Sequence, residues 1–156
     1  MESLMSYLWQ VLPQLIAAFL GTLGFAWVFK MKGSYILWVS MGGFCTYGIF
    51  VILTYLGYSE FTVALISAIF FALLSEILAR LLKAPTVIFL TTISISIVPG
   101  SGLYYSMRYL LLQDLSSFAQ SFKSTCSIAA GIVCGILIIS VAVKILMTAK
   151  KLIHSN

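Results

Sequence analysis

Five apolar stretches, each near the length of one bilayer crossing and separated by short polar or basic breaks, constrain this chain more than any other feature. Val11 to Phe29 is apolar apart from Gln14 and Thr22, admits Pro13 in its first turn, and stops at Lys30 and Lys32. Ser34 to Leu56 is the second stretch, and the turn Gly57, Tyr58, Ser59, Glu60 leads into the third, Phe61 to Leu82. A fourth starts after Lys83 and Pro85, runs from Thr86 to Val98, is interrupted by Pro99, Gly100, Ser101 and Gly102, and resumes as Leu103 to Leu112. Thr125 to Leu146 is the last. A hydrocarbon core of about 30 Å takes roughly 20 apolar residues per helical crossing, so the chain has room for four or five crossings and for no soluble catalytic domain beside them.

The expected fold is an all-α integral membrane protein, a single transmembrane domain over residues 1–156 with spans near 8–29, 34–56, 61–82, 86–110 and 125–146. Its solvent is the lipid bilayer: 62% of its residues are hydrophobic and 8% charged, whereas a soluble domain is about half apolar and a quarter charged. Between the fourth and fifth spans, Leu111, Leu115, Phe118 and Phe122 recur among Gln113, Asp114, Ser117, Gln120 and Ser121. That period predicts an amphipathic helix over about 111–123, lying in the membrane interface. The first residues lack the basic n-region and cleavage site of a signal peptide, so the first span is expected to be retained.

The net charge of +5 does not indicate nucleic acid, because the basic residues sit singly or in pairs at the ends of apolar runs. Five crossings put Lys30, Lys32, Arg80, Lys83, Lys144, Lys150 and Lys151 on one side and Arg108 and Lys123 on the other. The richer side is expected to be cytoplasmic, with the N-terminus outside and the C-terminus inside. A re-entrant fourth segment would move the last three lysines across and weaken that asymmetry, so five full crossings is the expected arrangement. Cys45, Cys126 and Cys134 all lie in apolar runs and are expected to be buried packing residues rather than disulfide or metal partners. His154 is the sole histidine and stands in a basic tail, and no nucleophile triad, P-loop or zinc helix is present. The chain is expected to have no enzymatic activity and no cofactor.

Small residues spaced by four mark packing surfaces: Ser127, Gly131 and Gly135 on the fifth span, Ala17 and Gly21 on the first, and Gly42 and Gly43 on the second. They serve packing within the chain or against a partner, a second copy included.

The interruption of the fourth span carries the functional reading. Pro99 cannot donate to the carbonyl of Ile95 and crowds it, so the helix breaks at Pro99-Gly100. By helical rise the break is roughly 20 Å from Pro85, inside the bilayer. Unpaired backbone is tolerated there only against protein or a water-filled cavity, which makes the break the sequence pointer to a binding site. Ser101, Tyr104, Tyr105 and Arg108 follow at i, i+3, i+4 and i+7 on one helical face. Ser101 is placed to cap the resumed helix, whose N-terminus favours a carboxylate, and Arg108 to bind one bidentately or to snorkel. Before the break, Thr91, Thr92, Ser94 and Ser96 offer hydroxyls, with Thr92 and Ser96 stacked; these face a polar solute or bond back to their own helix. Glu76 is the one carboxylate well inside an apolar run, with Arg80 at i+4: a structural ion pair, or a site that accepts a transported proton.

Gly24-Phe-Ala-Trp-Val-Phe29, Ala84-Pro-Thr-Val-Ile-Phe89 and Val98-Pro-Gly-Ser-Gly-Leu-Tyr-Tyr-Ser-Met107 together resemble the threonine/serine exporter family, in its smaller, C-terminal type of unit. The resemblance covers nearly the whole chain, and Pro99, Gly100 and Tyr104 match the family pattern, whereas some members carry a proline where this chain has Ser96. It implies a bacterial inner-membrane exporter of small amino acids or carboxylates such as threonine, serine or succinate, coupled to the proton-motive force and paired with a larger membrane subunit. A five-helix half that starts outside would form an inverted pair with one that ends outside. The competing readings are a scaffold that assembles a larger complex without transporting, and a passive channel.

Overall fold

A computed structural model describes residues 2–154, with side chains described at 9 and over 11–149. The side chains of Lys150, Lys151 and His154 lie outside the described residues. Six α-helices follow one another: α1 Glu2–Val28, α2 Gly33–Tyr55, α3 Glu60–Leu82, α4 Thr86–Ser94, α5 Gly100–Leu111 and α6 Leu115–His154, with a single 3-10 turn, Ile95–Ile97, between α4 and α5. Four are long and apolar enough to cross a membrane, and α4 with α5, bent by 53° at their break, are together long and apolar enough for a fifth crossing. α1 starts two turns before the apolar run, so Pro13 stands inside the helix instead of in its first turn. Its missing N–H is tolerable there because a single absent donor leaves the rest of the helical ladder intact.

The connections are short because each preceding helix ends in a turn that bonds back on itself. Lys30, Gly57, Lys83 and Gln113 take positive φ of 51°, 80°, 50° and 58°. The following N–H groups then return to the helix, as in Met31 to Ala26, Tyr58 to Leu53, Ala84 to Ala79 and Asp114 to Tyr109, all between 3.0 and 3.3 Å. Three of these left-handed positions are not glycine, and two of them carry a lysine at the same end of the bundle.

The core lies between α2, α3 and α4, where Val39, Ala68, Phe71, Phe89 and Ile93 are fully buried. Gly42 lets Leu74 and Ile93 reach the α2 backbone, since an added Cβ would stand 2.9 and 3.0 Å from them, and Gly43 accommodates the Thr22 side chain of α1. The Tyr35 hydroxyl donates to the Leu82 carbonyl at 3.0 Å and ties the start of α2 to the end of α3. Outside this core the surface is apolar: Trp9, Trp27 and Trp38 are all more than half exposed. That is the arrangement for which lipid, not water, supplies the solvent. Cys45, Cys126 and Cys134 are also exposed, which corrects the expectation that they are buried; in a membrane helix a small apolar side chain can face lipid as readily as protein.

α6 is one helix of 40 residues, and this corrects the expected separate interfacial helix over 111–123. No Pro or Gly lies between Leu115 and Ser124 to stop it, and the Thr125 hydroxyl bonds to the Ser121 carbonyl at 2.8 Å within the continuous ladder. Its register on α3 decides the topology. Gly131 faces Phe61 and Ala64, Gly135 faces Leu65 and Ala68, and Ser124 reaches Glu60, so residue numbers rise together and the two helices are parallel. α6 therefore starts beside the start of α3, and α4–α5 must carry the chain from one end of the bundle to the other. The bent pair is a broken crossing, not a re-entrant hairpin.

Candidate functional site at the helix break

The break is organised by Pro99, whose φ of −77° and ψ of 59° place it at the centre of an inverse γ-turn. The Gly100 N–H donates to the Val98 carbonyl at 2.7 Å, and the first bond of α5 runs from the Leu103 N–H to the Pro99 carbonyl at 3.1 Å. The carbonyls at the end of α4 are met by hydroxyls: Ser94 donates to Thr91 at 2.9 Å and Ser96 to Ile93 at 2.8 Å. Thr91 and Thr92 likewise bond to Val87 and Ile88, at 2.8 and 2.7 Å. All four hydroxyls before the break thus donate to their own helix, and Thr92 is fully buried. Ser101 does not cap α5, because the helix already begins at Gly100 and no side chain caps it. Ser101 and Gly102 of its first turn instead line a cleft.

That cleft, about 220 Å³, is lined by Tyr47, Ser96, Pro99, Ser101, Ser124 and Thr125, among others. It is one of three that share walls. Tyr47 and Ser96 also line a cleft of about 310 Å³ against α1, with Gln14, Ala17, Ala18 and Gly21. The Tyr47 hydroxyl and the Gln14 side-chain oxygen are 2.9 Å apart across it. Ser124 also lines a cleft of about 340 Å³, with Glu60, Tyr105, Tyr109, Ser117, Gln120 and Ser121. By helical rise, Tyr47 and Ser96 stand roughly 20 Å from the lysine-rich end and Glu60 roughly 35 Å, so the clefts step along the bundle axis with the break in the middle. A further groove of about 440 Å³ is formed by α6 alone, at Val141, Lys144, Ile145, Thr148 and Ala149; it lacks the convergent polar groups of a binding site.

The helical face drawn through Ser101, Tyr104, Tyr105 and Arg108 is divided by the structure. Ser101 borders the break cleft and Tyr105 the Glu60 cleft, while Tyr104 and Arg108 are exposed on the outer side of α5. The face of α5 that packs on α6 is Gly102 and Ser106: Gly102 lies against Thr125, and the Ser106 hydroxyl contacts that of Ser121 at 3.1 Å. Glu76 lies near the lysine-rich end with Arg80, 3.6 Å apart, the Glu side chain 20% and the Arg side chain 57% exposed. It is remote from the break. Gln14, Tyr47, Glu60, Tyr109 and Ser124 line the clefts without having been singled out from sequence. Gln14 carried the one usable signal, a polar interruption of an apolar run.

A family profile described as Threonine/Serine exporter, ThrE, matches residues 14–142, most of the chain. The chain belongs to the threonine/serine exporter family. It is thus a multi-pass membrane protein of a transporter family, and the matched region contains the break, all three clefts and the Glu76–Arg80 pair. Neither a curated protein nor a solved structure matches it.

Proposed function

We propose that this chain is the smaller subunit of a two-component secondary exporter, a transporter and not an enzyme, that moves small amino acids or carboxylates across a bacterial inner membrane by alternating access at the Pro99–Gly100 break. The observation that carries the proposal is the row of clefts, each with polar side chains in its lining, that meet at an uncapped helix start within the span. Solutes with hydroxyl, ammonium or carboxylate groups, of the threonine, serine or succinate type, match the hydroxyl and tyrosine lining and the N–H groups of α5. Pro99, Ser101 and Ser96 line the passage, Gly100 gives the break its turn, and Thr92 supports it from the core. Tyr104 and Arg108 contact the solute only from the exposed side of α5, where the larger subunit would complete the passage.

The excess of lysine and arginine at one end favours that end as cytoplasmic, which puts the N-terminus outside and the α5–α6 turn outside. Gly21 and Gly24 of α1 have no neighbour within 4 Å of an added Cβ, and Ala17 is exposed, so this stripe suits a helix of the partner subunit or of a second copy. Glu76, with Arg80 as its counter-ion, is the residue through which proton coupling would act.

The test is co-expression with a candidate larger subunit in vesicles loaded with labelled serine, threonine or succinate. Replacing Pro99 by Leu and Gly100 by Ala restores a continuous helix. Efflux is expected to collapse while the complex still assembles; unchanged efflux would rule out passage at the break, and a scaffold would show no flux of its own in either form. A passive channel would conduct without regard to the proton gradient.

A further inference from the structure

The cleft at Glu60 lies beyond the break and has a chemistry of its own. Among the described residues no Lys or Arg side chain comes within 4 Å of the Glu60 carboxylate, whereas Glu76 has Arg80. Asp114, the other described carboxylate, is taken up at the start of α6 by Ser116 and the Ser117 N–H. Glu60 instead receives the Ser124 hydroxyl at 2.7 Å and borders a cleft of about 340 Å³. Two aromatic rings, Tyr105 and Tyr109, wall the same cleft, with centroids 6.4 Å apart and planes 28° from parallel. Gln120 and Ser117 complete the lining with amide and hydroxyl groups.

We propose that this cleft binds the ammonium group of a small amino acid or amine, with Glu60 as its counter-ion and the Tyr105 and Tyr109 rings as its aromatic wall. A carboxylate without a protein cation attracts a positive charge, and ring faces favour an organic ammonium that sheds part of its water. A hard metal cation would seek six or more oxygen ligands, and one carboxylate with a few hydroxyls falls short of that. A cleft of this size falls within the usual range for small-ligand sites. Gln120 and Ser117 are placed to hydrogen-bond the carboxylate or hydroxyl of the same solute. The assignment rests on the exporter reading and narrows its substrate to solutes that carry an ammonium, which enter or leave past Glu60.

The test is calorimetric titration of the purified full chain in lipid nanodiscs with L-serine, ethanolamine, succinate and sodium chloride. Serine and ethanolamine are expected to bind, and Glu60→Gln, which keeps an acceptor for Ser124, is expected to weaken both at least about tenfold. Tyr109→Leu is expected to weaken ethanolamine as well, and Glu60→Asp to retain part of its affinity. Ethanolamine that fails to bind, that binds Glu60→Gln as tightly as the parent chain, or that sodium displaces at equal concentration would overturn the assignment. A Glu60 carboxylate that only favours the start of α3 would change thermal stability in the Gln variant but not ammonium affinity. The Pro99→Leu, Gly100→Ala variant separates the two proposals. Lost efflux with Glu60-dependent ethanolamine binding intact supports both, and absence of efflux in the parent chain with that binding intact overturns only the exporter reading.

Discussion

Gly131 of α6 sits against the backbone of α3 so closely that a Cβ there would stand 2.6 Å from the Phe61 carbonyl oxygen. Two turns of two parallel helices are held at this distance, with Gly135 repeating the contact at Leu65 and Ala68. In lipid, where apolar burial gives helices little reason to associate, such backbone approach is the main source of helix–helix attraction.

Gly131→Ala is therefore expected to destabilise the chain by about 1–3 kcal/mol, more than the gain in helix propensity offsets. Gly21→Ala, where the same Cβ meets nothing, is expected to leave the isolated chain unchanged or slightly more stable. Unfolding of both variants in mixed micelles checks the contrast. A loss of partner assembly confined to Gly21→Leu would place the second subunit on α1.

The seam between α5 and α6 predicts a rescue. A Cβ on Gly102 collides with the Thr125 hydroxyl but stands 3.4 Å from the Thr125 Cβ. Gly102→Ala alone is expected to cost about 1–3 kcal/mol, and adding Thr125→Ala to recover most of it, because only the hydroxyl is in the way. A double-mutant cycle on unfolding midpoints measures the coupling; strict additivity would show that the seam relaxes by other means.

Asp114, in the turn between α5 and α6, supplies a pH dependence. Hydrogen bonds from the Ser117 side chain and N–H, then from Ser116, hold its carboxyl below the ordinary value of 3.8. A carboxyl depressed in the folded state contributes stability that is complete above the unfolded value and is lost as the pH falls through the folded one. The first turn of α6 is thus expected to be protected at neutral pH and to open below about pH 4. Amide hydrogen exchange over residues 115–120 follows it, and Asp114→Ala should show fast exchange there at every pH.

The Glu76–Arg80 pair separates structure from coupling. Arg80 is mostly exposed, so Arg80→Ala should cost less than about 1 kcal/mol. Glu76→Gln is expected to leave folding intact and to remove the dependence of serine efflux on an imposed proton gradient. Gradient-driven efflux that survives in Glu76→Gln would reduce the pair to a structural role.

The crossings were legible in the sequence because bilayer thickness imposes a length, and lysines marked their ends. Pro99-Gly100 was equally legible, since a missing N–H breaks a helix whatever surrounds it. The expectation of a separate helix over 111–123 fails for a physical reason: an amphipathic period reveals a polar stripe, here with Ser117, Gln120 and Ser121, but not whether water or protein faces that stripe. In the structure it lines a protein cleft on the same continuous helix. Ser101 is not a cap because the helix starts three residues before the apolar pattern resumes, at Gly100 and not at Leu103.

The sequence by itself determined that the chain spans a membrane four or five times, that its basic residues gather at the ends of the apolar runs and where the fourth helix breaks, because these follow from hydropathy, chain length and covalent geometry. Only the tertiary structure decided that α3 and α6 run parallel, which makes the broken segment a full crossing. It alone brought Tyr47, Glu60, Tyr109 and Ser124, distant in sequence, to the walls of the clefts around the break. Those relationships depend on which small residue meets which backbone across a helix pair, and no local pattern of residues encodes that choice.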